Sequence, residues 1–316
     1  MAWQAILRSN VTCVARLLQL CHIQDTTPYV LKPSFPLSVP MRFVNKMEKA
    51  NPNDPLFLQW APRREEEEVR DGFVTDPLEE CQAHQSATIL QKYAGRALLL
   101  VGPSCCVHCR FCFRRHTPCQ ENLFDVSWLR ANSSIGEVIL SGGDPLSLPT
   151  KTISSLLAQL EQIPHIQRIR FHTRFPVGIP ERVDEPLLAC LQACKKQIIF
   201  VVHINHPREL DTDVTQALSA IHRLGIPILT QTVLLKGVND EVEPLRALFQ
   251  QLGSCGFIPY YLHQLDRVQG AHHFEVPIER GKMLMDRLHA VLPGYLLPRY
   301  VQELPGEPGK TSITSS

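Results

Sequence analysis

Residues 96–113 read RALLLVGPSCCVHCRFCF, an apolar run that leads directly into a loop rich in cysteine. The run 96–102 predicts a buried β-strand, because it is short, continuous and ends at glycine and proline. Cys105, Cys109 and Cys112 follow it with the spacing C-x3-C-x2-C. A loop of this length can present three thiolates to one face of a metal cluster. The stretch therefore predicts a strand followed by a metal-binding loop.

An iron–sulfur cluster is the favoured occupant of this loop. A [4Fe–4S] cluster normally takes four protein thiolates, so three would leave one iron open to a substrate or cofactor. We interpret Cys106 and Cys119 as bystanders, since Cys106 should point away from the face that the other three share.

Zinc is the alternative occupant. The last two cysteines of the motif form a C-x2-C pair, and His108 or His116 could complete a site. A zinc ribbon would need a second pair of ligands, for which Cys190 and Cys194 are candidates. Their i,i+4 spacing is more typical of core-facing positions on a helix.

Strand-like and helix-like segments alternate beyond the first strand. Strands are predicted at 96–102, 137–142, 168–173, 197–203, 226–233 and 258–263. Amphipathic helices are predicted between them at 153–162, 185–195, 214–224 and 242–252. This alternation predicts a parallel sheet with right-handed crossovers, specifically a partial (β/α)6 TIM-like barrel. The active site of such a barrel lies at the carboxyl ends of its strands.

The chain divides into three predicted parts. Residues 1–90 form an N-terminal helical and irregular extension, residues 91–300 the partial barrel, and residues 301–316 a C-terminal segment and tail. One more strand-like run, YLLPRYVQEL at 295–304, precedes PGEPGKTSITSS at 305–316, which is predicted to be loop plus a mobile tail. The charge run at 63–71, RREEEEVRD, is interpreted as a solvated face or a helix with i,i+4 ion pairs.

Composition excludes some classes of function. The 316 residues carry 32 Lys and Arg against 31 Asp and Glu, so no charge field for nucleic acid is indicated. No apolar run is long enough to span a membrane. We expect a cytoplasmic protein with reduced thiols, where a cysteine cluster indicates metal binding or catalysis.

Two motifs resemble those of radical S-adenosylmethionine (SAM) enzymes. The cysteine loop resembles their cluster loop, and SGGDPL at 141–146 resembles their SAM-binding glycine motif. A narrower resemblance, to the lysine 2,3-aminomutase family, covers about residues 36–310. The segments that carry it are KYAGRALLL, CRFCFRRH, SGGDPL, HTRFPVGIPERV, VVHINHPREL, TVLLKGVND, PYYLHQLDRVQGAHHF and PGEPGK.

The resemblance implies three cofactors. A [4Fe–4S] cluster would be held by Cys105, Cys109 and Cys112. The residues implied at SAM are Ser141, Gly142, Gly143, Asp144, His203 and Gln231. Pyridoxal 5′-phosphate (PLP) would form an imine with Lys310, although Glu307 and Pro308 interrupt the family's usual glycines before that lysine. The cations implied at the PLP phosphate are Lys92, Arg96 and Arg174.

The resemblance also implies the substrate and the reaction. Arg114 would bind the carboxylate of lysine, and Asp266 with Glu303 would receive its distal ammonium. The implied reaction is the isomerisation of L-α-lysine to β-lysine, closest to the branch that serves modification of elongation factor P. Implied partners are an electron donor such as flavodoxin or ferredoxin and an elongation factor P ligase. Two alternatives stay open: an aminomutase for another amino acid or for free metabolism, and a non-catalytic zinc-binding βα protein.

Overall fold

The computed structural model describes residues 2–116 and 125–314, and its strands join in one sheet. In the described residues these strands are β1 (Ile89–Tyr93), β2 (Arg96–Leu100), β3 (Glu137–Ser141), β4 (Arg168–Thr173), β5 (Gln197–His203), β6 (Ile228–Val233), β7 (Ile258–His263), β8 (Arg299–Gln302) and β9 (Thr311–Ser312). They follow one another across the sheet in chain order. Strands β2 to β8 are parallel, and β1 and β9 are antiparallel edges.

Helices cover the crossovers between the parallel strands. The N-terminal helices are α1 (Trp3–Arg8), α2 (Val14–Leu20), α3 (Met41–Lys46) and α4 (Pro55–Leu58). The helices after β2 are α5 (Ser127–Ala131), α6 (Thr150–Glu161), α7 (Phe175–Gly178), α8 (Glu185–Ala193), α9 (Thr212–His222), α10 (Val242–Ser254) and α11 (Ile278–Val291). This order confirms the predicted partial barrel, and β8, which lies within the further strand-like run at 295–304, is a seventh parallel strand.

Side chains alternate along the barrel strands between the core and a central cavity. On β4, Ile169 and Phe171 are buried, while Arg170 and His172 line the cavity. Because successive side chains point to opposite faces of a strand, one face packs beneath the helices and the other lines the site.

The N-terminal extension packs into the same core as the barrel. Leu17 and Leu18 of α2 are buried, and Trp60 stacks on Phe43 with ring centroids 4.2 Å apart. The solvated face predicted for 63–71 is wrong at Glu66, whose side chain is buried against Arg110 and Arg115. None of the helices within the described residues is long and apolar enough to cross a lipid bilayer.

The C-terminal segment differs from the loop and mobile tail that its sequence predicts. Strand β9 pairs with β8 in the register Val301↔Ser312 and Gln302↔Thr311. A hairpin therefore closes the edge of the sheet, and it turns where Gly306 has a φ of 80°. The division of the chain at residues 90 and 300 stays a prediction.

Candidate active site

A cavity of about 340 Å³ opens at the carboxyl ends of the strands. Every site residue predicted from the sequence lines it: Lys92, Arg96, Cys105, Cys109, Cys112, Arg114, Ser141, Gly142, Gly143, Asp144, Arg174, His203, Gln231, Asp266, Glu303 and Lys310. The fold thus brings together side chains that lie more than 200 positions apart in the sequence. Their individual roles stay predictions, and their placement bears on each.

The cysteine loop, residues 103–113, presents three of its thiols to the cavity. Cys105, Cys109 and Cys112 line the cavity. Cys106 is fully buried and does not line the cavity; its Sγ lies 3.0 Å from the position that a Cβ on Gly178 would take and within 4.8 Å of the Cys105 Sγ. The bystander assignment of Cys119 falls outside the described residues.

The three cavity-facing thiols suit a metal cluster. Burial raises the pKa of Cys109 to about 12 and that of Cys112 to about 11, so neither is an ionised nucleophile at neutral pH. A bound metal supplies the positive charge that such a buried thiolate needs. Cluster ligation therefore fits these residues better than thiol catalysis.

The glycine turn after β3 is joined directly to the start of the cysteine loop. Gly143 N–H donates to Gly102 O at 2.7 Å, and Asp144 N–H donates to Ser104 O at 2.8 Å. A Cβ on Gly143 would lie 2.3 Å from Ser104 O, so only glycine fits there. The turn thereby fixes the loop beside the strand ends.

Asp144 is held by the protein itself. Its carboxylate accepts hydrogen bonds from Thr173 Oγ1 at 2.7 Å and from the backbone N–H groups of Arg174, Phe175 and Leu146. Burial raises its pKa to about 6, although these hydrogen bonds oppose the rise. The contacts favour a structural role for the carboxylate, while the adjoining turn lines the predicted SAM pocket.

Two further predicted SAM residues lie at neighbouring strand ends. His203 ends β5, and its Nε2 lies 3.0 Å from Asn205 Oδ1. Burial, followed by the charge of Arg174, holds the pKa of His203 well below its usual value, so the ring is neutral. Gln231 lies beside it on β6, in the register His203↔Gln231.

Arg174 does not share the surroundings of the other predicted phosphate cations. Its Nη1 donates to Cys109 Sγ at 2.9 Å, and its Nη2 donates to Glu209 Oε2 at 2.9 Å. Both terminal nitrogens are therefore engaged beside the cysteine loop. These contacts favour a role at Cys109 over the predicted role at the PLP phosphate.

A chain of alternating charges forms another part of the cavity lining. This charge ladder runs Arg114, Glu80, Lys92, Glu303, Lys310. Glu80 accepts from Arg114 Nε at 2.8 Å and Nη2 at 2.7 Å, and lies 3.4 Å from Lys92 Nζ. Glu303 accepts from Lys92 Nζ at 2.6 Å and also from Lys310 Nζ. Each acid thus bridges two predicted ligand-binding cations.

The C-terminal hairpin positions Lys310. Glu303 directly follows β8 and Lys310 directly precedes β9, so the register of this pair brings their side chains together. Burial alone would raise the pKa of Glu303, but Lys310 and Lys92 outweigh it and hold that pKa well below its usual value.

Asp266, after β7, has the opposite electrostatic character. Burial, reinforced by the negative charge of Glu303, raises its pKa to about 7. The two acids predicted to receive the substrate ammonium therefore differ, because Glu303 is fully ionised at neutral pH whereas Asp266 is close to half protonated.

Unsatisfied polar atoms in the cavity fit a PLP-sized polar ligand. Within the described residues, Tyr93 Oη, His172 Nε2 and His263 Nε2 are buried without hydrogen-bond partners. Among the described residues, no carboxylate lies within 4.0 Å of Arg96. The Arg96 guanidinium lies over the Tyr93 ring, 4.6 Å from its centroid. Arg96 Nη2 is 3.9 Å from the position that a Cβ on Gly309 would take. A cation and a hydroxyl next to Lys310 suit a phosphate-bearing ligand.

The zinc alternative has little support. His108 and His116 turn their rings to the backbone carbonyls of Pro36 and Gln269, at 2.9 and 3.0 Å. In the described ranges, one group of three potential ligands lies within 4.8 Å of one another, namely Cys105, Cys106 and Asp144. Its carboxylate is already occupied by hydrogen bonds.

Sequence reasoning missed several residues that the cavity contains. Glu80 lies in a turn-rich segment that carries no recognisable signal. His172 and His263, in contrast, lie at or next to the ends of β4 and β7, and that position alone predicts an active-site residue in a barrel.

No family model matches the chain. Relatives match it closely. The chain is 42% identical to L-lysine 2,3-aminomutase from Escherichia coli (strain K12), with 98% of this chain and 94% of that protein covered. It is 40% identical to L-lysine 2,3-aminomutase from Haemophilus influenzae (strain ATCC 51907 / DSM 11121 / KW20 / Rd), with the same coverage. A solved radical SAM methyltransferase from Sphaerobacter thermophilus is a distant structural match, with 18% identity, a TM-score of 0.49, and 67% of this chain and 68% of that chain covered. The identity to the two enzymes over nearly the whole length shows that the chain belongs to the L-lysine 2,3-aminomutase family of isomerases.

Proposed function

We propose that this protein converts L-α-lysine into β-lysine with the help of a [4Fe–4S] cluster, SAM and PLP. The observation that carries the proposal is the single cavity, which is lined both by the three thiols of the cysteine loop and by Lys310 with its acidic neighbours. When bound, the cluster and SAM supply radical chemistry and PLP carries the migrating nitrogen.

The charge ladder supports the binding of PLP and of an amino acid. Lys92 and Arg96 present two cations beside Tyr93, as a phosphate requires, and Lys310 supplies the amine that attaches PLP. Arg114 Nη1 points to Ser141 Oγ at 3.2 Å, next to the glycine turn. We assign the substrate carboxylate to Arg114, whose contacts with Glu80 must rearrange to admit it.

Lysine fits the acidic part of the cavity. Glu303 and Asp266 can both accept a hydrogen bond from a distal ammonium, whereas a neutral side chain would offer Asp266 no charged partner. A substrate with a distal carboxylate would meet like charges. The pair thus favours lysine over neutral and acidic amino acids.

The direct test is anaerobic incubation of the reconstituted protein with L-lysine, SAM, PLP and a reductant, followed by amino-acid analysis. β-Lysine is the expected product. Turnover of another amino acid in preference to lysine would support the alternative aminomutase. A colourless protein that holds zinc after reconstitution with iron and sulfide would support the zinc-binding alternative.

The proposal extends to the role of the product in the cytoplasm. We assign the β-lysine to the modification of elongation factor P through a lysine ligase, and the reducing electron to flavodoxin or ferredoxin. The support is the resemblance of the motif segments to the branch with that role. Incubation of the enzyme's product with elongation factor P and its ligase should add the mass of one lysyl residue, that is, lysine minus water. Ligation of α-lysine in preference to β-lysine would contradict this assignment.

A further inference from the structure

A buried polar network lies against Cys109. Arg174 donates from Nη1 to Cys109 Sγ at 2.9 Å, while its Nη2 donates to Glu209 Oε2 and Gln59 Oε1, each at 2.9 Å. Arg174 is 3% exposed, and Glu209 and Gln59 are 0% exposed. The guanidinium is therefore fixed with one N–H group directed at the sulfur.

Three separate segments hold this network in place. Gln59 follows α4, Arg174 follows β4, and Glu209 lies in the turn after β5. Gln59 Nε2 also donates to Glu209 Oε1 at 3.0 Å, and Asn205 Nδ2 donates to Gln59 Oε1 at 3.0 Å. Arg174 Nε is buried without a partner, but both terminal nitrogens are engaged. Because the network is shielded from water, the hydrogen bond from Nη1 to sulfur is strong and fixed in direction.

We propose that Arg174 is a positioning residue that raises the reduction potential of the cluster through its hydrogen bond to Cys109, and that Glu209 offsets part of this effect. The inference rests on the proposed function, because it requires a cluster on Cys109. It replaces the phosphate role that the resemblance implies for Arg174.

The direction of the shift in reduction potential follows from the charges of Arg174 and Glu209. Reduction by an external one-electron donor takes the [4Fe–4S] cluster from the 2+ to the 1+ state, with no bond formed or broken. The added electron increases negative charge on the sulfurs. An N–H donor that carries a positive charge stabilises the reduced state, whereas a nearby carboxylate destabilises it. Arg174 should thus ease reduction and Glu209 should oppose it.

The test is a redox titration of the reconstituted protein with dithionite and mediator dyes, followed by electron paramagnetic resonance of the reduced cluster. The double variant Arg174→Gln/Glu209→Gln removes the hydrogen-bonded pair without leaving a buried charge unpaired. We expect its ratio of reduced to oxidised cluster at a fixed potential to fall about tenfold, which is ~59 mV for one electron. Glu209→Gln alone should shift the potential the other way.

Arg182 provides the matched control. It is also a fully buried arginine, between α7 and α8, but it donates to the carbonyls of Leu146 and Leu148 and not to a cysteine. Arg182→Gln should leave the potential unchanged. A shift in Arg182→Gln equal to that of the double variant would overturn the inference, because it would show a nonspecific effect of losing a buried arginine.

The remaining outcomes separate the inference from the proposed function. A wild-type protein without a [4Fe–4S] signal would overturn the proposed function. A wild-type cluster whose potential stays the same in both the double variant and Glu209→Gln would overturn the inference alone. If the double variant cannot hold the cluster, Glu209→Gln decides: an upward shift supports the inference, and an unchanged potential overturns it. Reduced PLP content with an unchanged potential would restore the phosphate role of Arg174.

Discussion

The cysteine loop and the charge ladder line the same cavity but are built in different ways. The thiols of the loop come from one contiguous segment, and Arg174 is the charged group that contacts one of them. The ladder comes from separate segments around residues 80, 92, 114, 303 and 310, whose charges pair with one another. The thiols of the loop can therefore bind a cluster without losing another contact, whereas the cations of the ladder must give up an ion pair to bind a ligand.

This difference has an energetic consequence. A buried charge without a partner is costly, so the ladder cations use Glu80 and Glu303 as partners when no ligand is bound. A phosphate or a substrate carboxylate must replace these contacts with equivalent ones. We therefore expect changes in the loop to act on cluster content, and changes in the ladder to act on PLP and lysine.

The largest expected effect comes from the loop. Cys109→Ala should lose the cluster and, with it, all detectable β-lysine formation, while PLP still binds, because the ladder is intact. Cys106→Ala is the matched control, since its side chain is buried away from the cavity. The measurement is iron, sulfide and PLP content of each variant. Full cluster content in Cys109→Ala would refute the ligand assignment.

Lys310→Ala tests the charge ladder, as Cys109→Ala tests the cysteine loop. It should keep normal iron and sulfide content but lose the covalent attachment of PLP, which borohydride reduction and peptide mass analysis can detect. β-Lysine formation should fall on the order of 10³-fold or more, as for other covalent catalytic groups. Trapping of PLP on a different lysine in the wild-type protein would show that Lys310 is only a ladder cation.

Asp266→Asn tests whether the carboxylate beside the charge ladder selects lysine over neutral amino acids. A charge-assisted hydrogen bond contributes roughly 1.5–3 kcal/mol, so kcat/KM for lysine should fall about ten- to a hundredfold. Norleucine has no distal ammonium, and its turnover should change much less. SAM cleavage in the absence of amino acid should stay the same. An equal loss for lysine and norleucine would mean that Asp266 is structural.

The pH dependence of lysine binding is a smaller and more specific effect. Burial and Glu303 raise the pKa of Asp266 to about 7. Below that pH the protonated carboxyl must lose a proton to accept the ammonium, so KM for lysine should fall as pH rises from 6 to 8, by up to about tenfold per unit below pH 7. KM in Asp266→Asn should lack this inflection. A wild-type KM that is flat across the range would contradict the role of Asp266.

The barrel and the cysteine loop are predictable from the sequence because their signals are local. The predicted ranges 168–173, 197–203 and 258–263 match β4, β5 and β7 residue for residue. Continuous apolar runs in a parallel sheet and closely spaced cysteines need no tertiary information. The edge strands are less predictable from the sequence. Strand β9 spans only Thr311–Ser312 and forms because β8 offers it an open edge.

The partners within the site are not predictable in the same way. Glu66 lies in a charge run typical of solvated faces, yet its side chain is buried in ion pairs with Arg110 and Arg115. Glu80 lies in a turn without a motif, and Glu209 lies within the segment VVHINHPREL but has no predicted role there. Each becomes significant only through a cation far away in the sequence. Motifs therefore identify the groups that meet ligands, while the groups that position them emerge only from the fold.

The most direct test of the central claim, that both parts of one cavity act on one lysine molecule, is a hydrogen-transfer measurement. Lysine deuterated at carbon 3 is incubated anaerobically with SAM, PLP, reductant and the protein, and the adenosyl products are analysed by mass spectrometry. The expected result is the formation of β-lysine together with the appearance of deuterium at the 5′-carbon of the adenosyl group. Formation of β-lysine with no deuterium in the adenosyl group would contradict it.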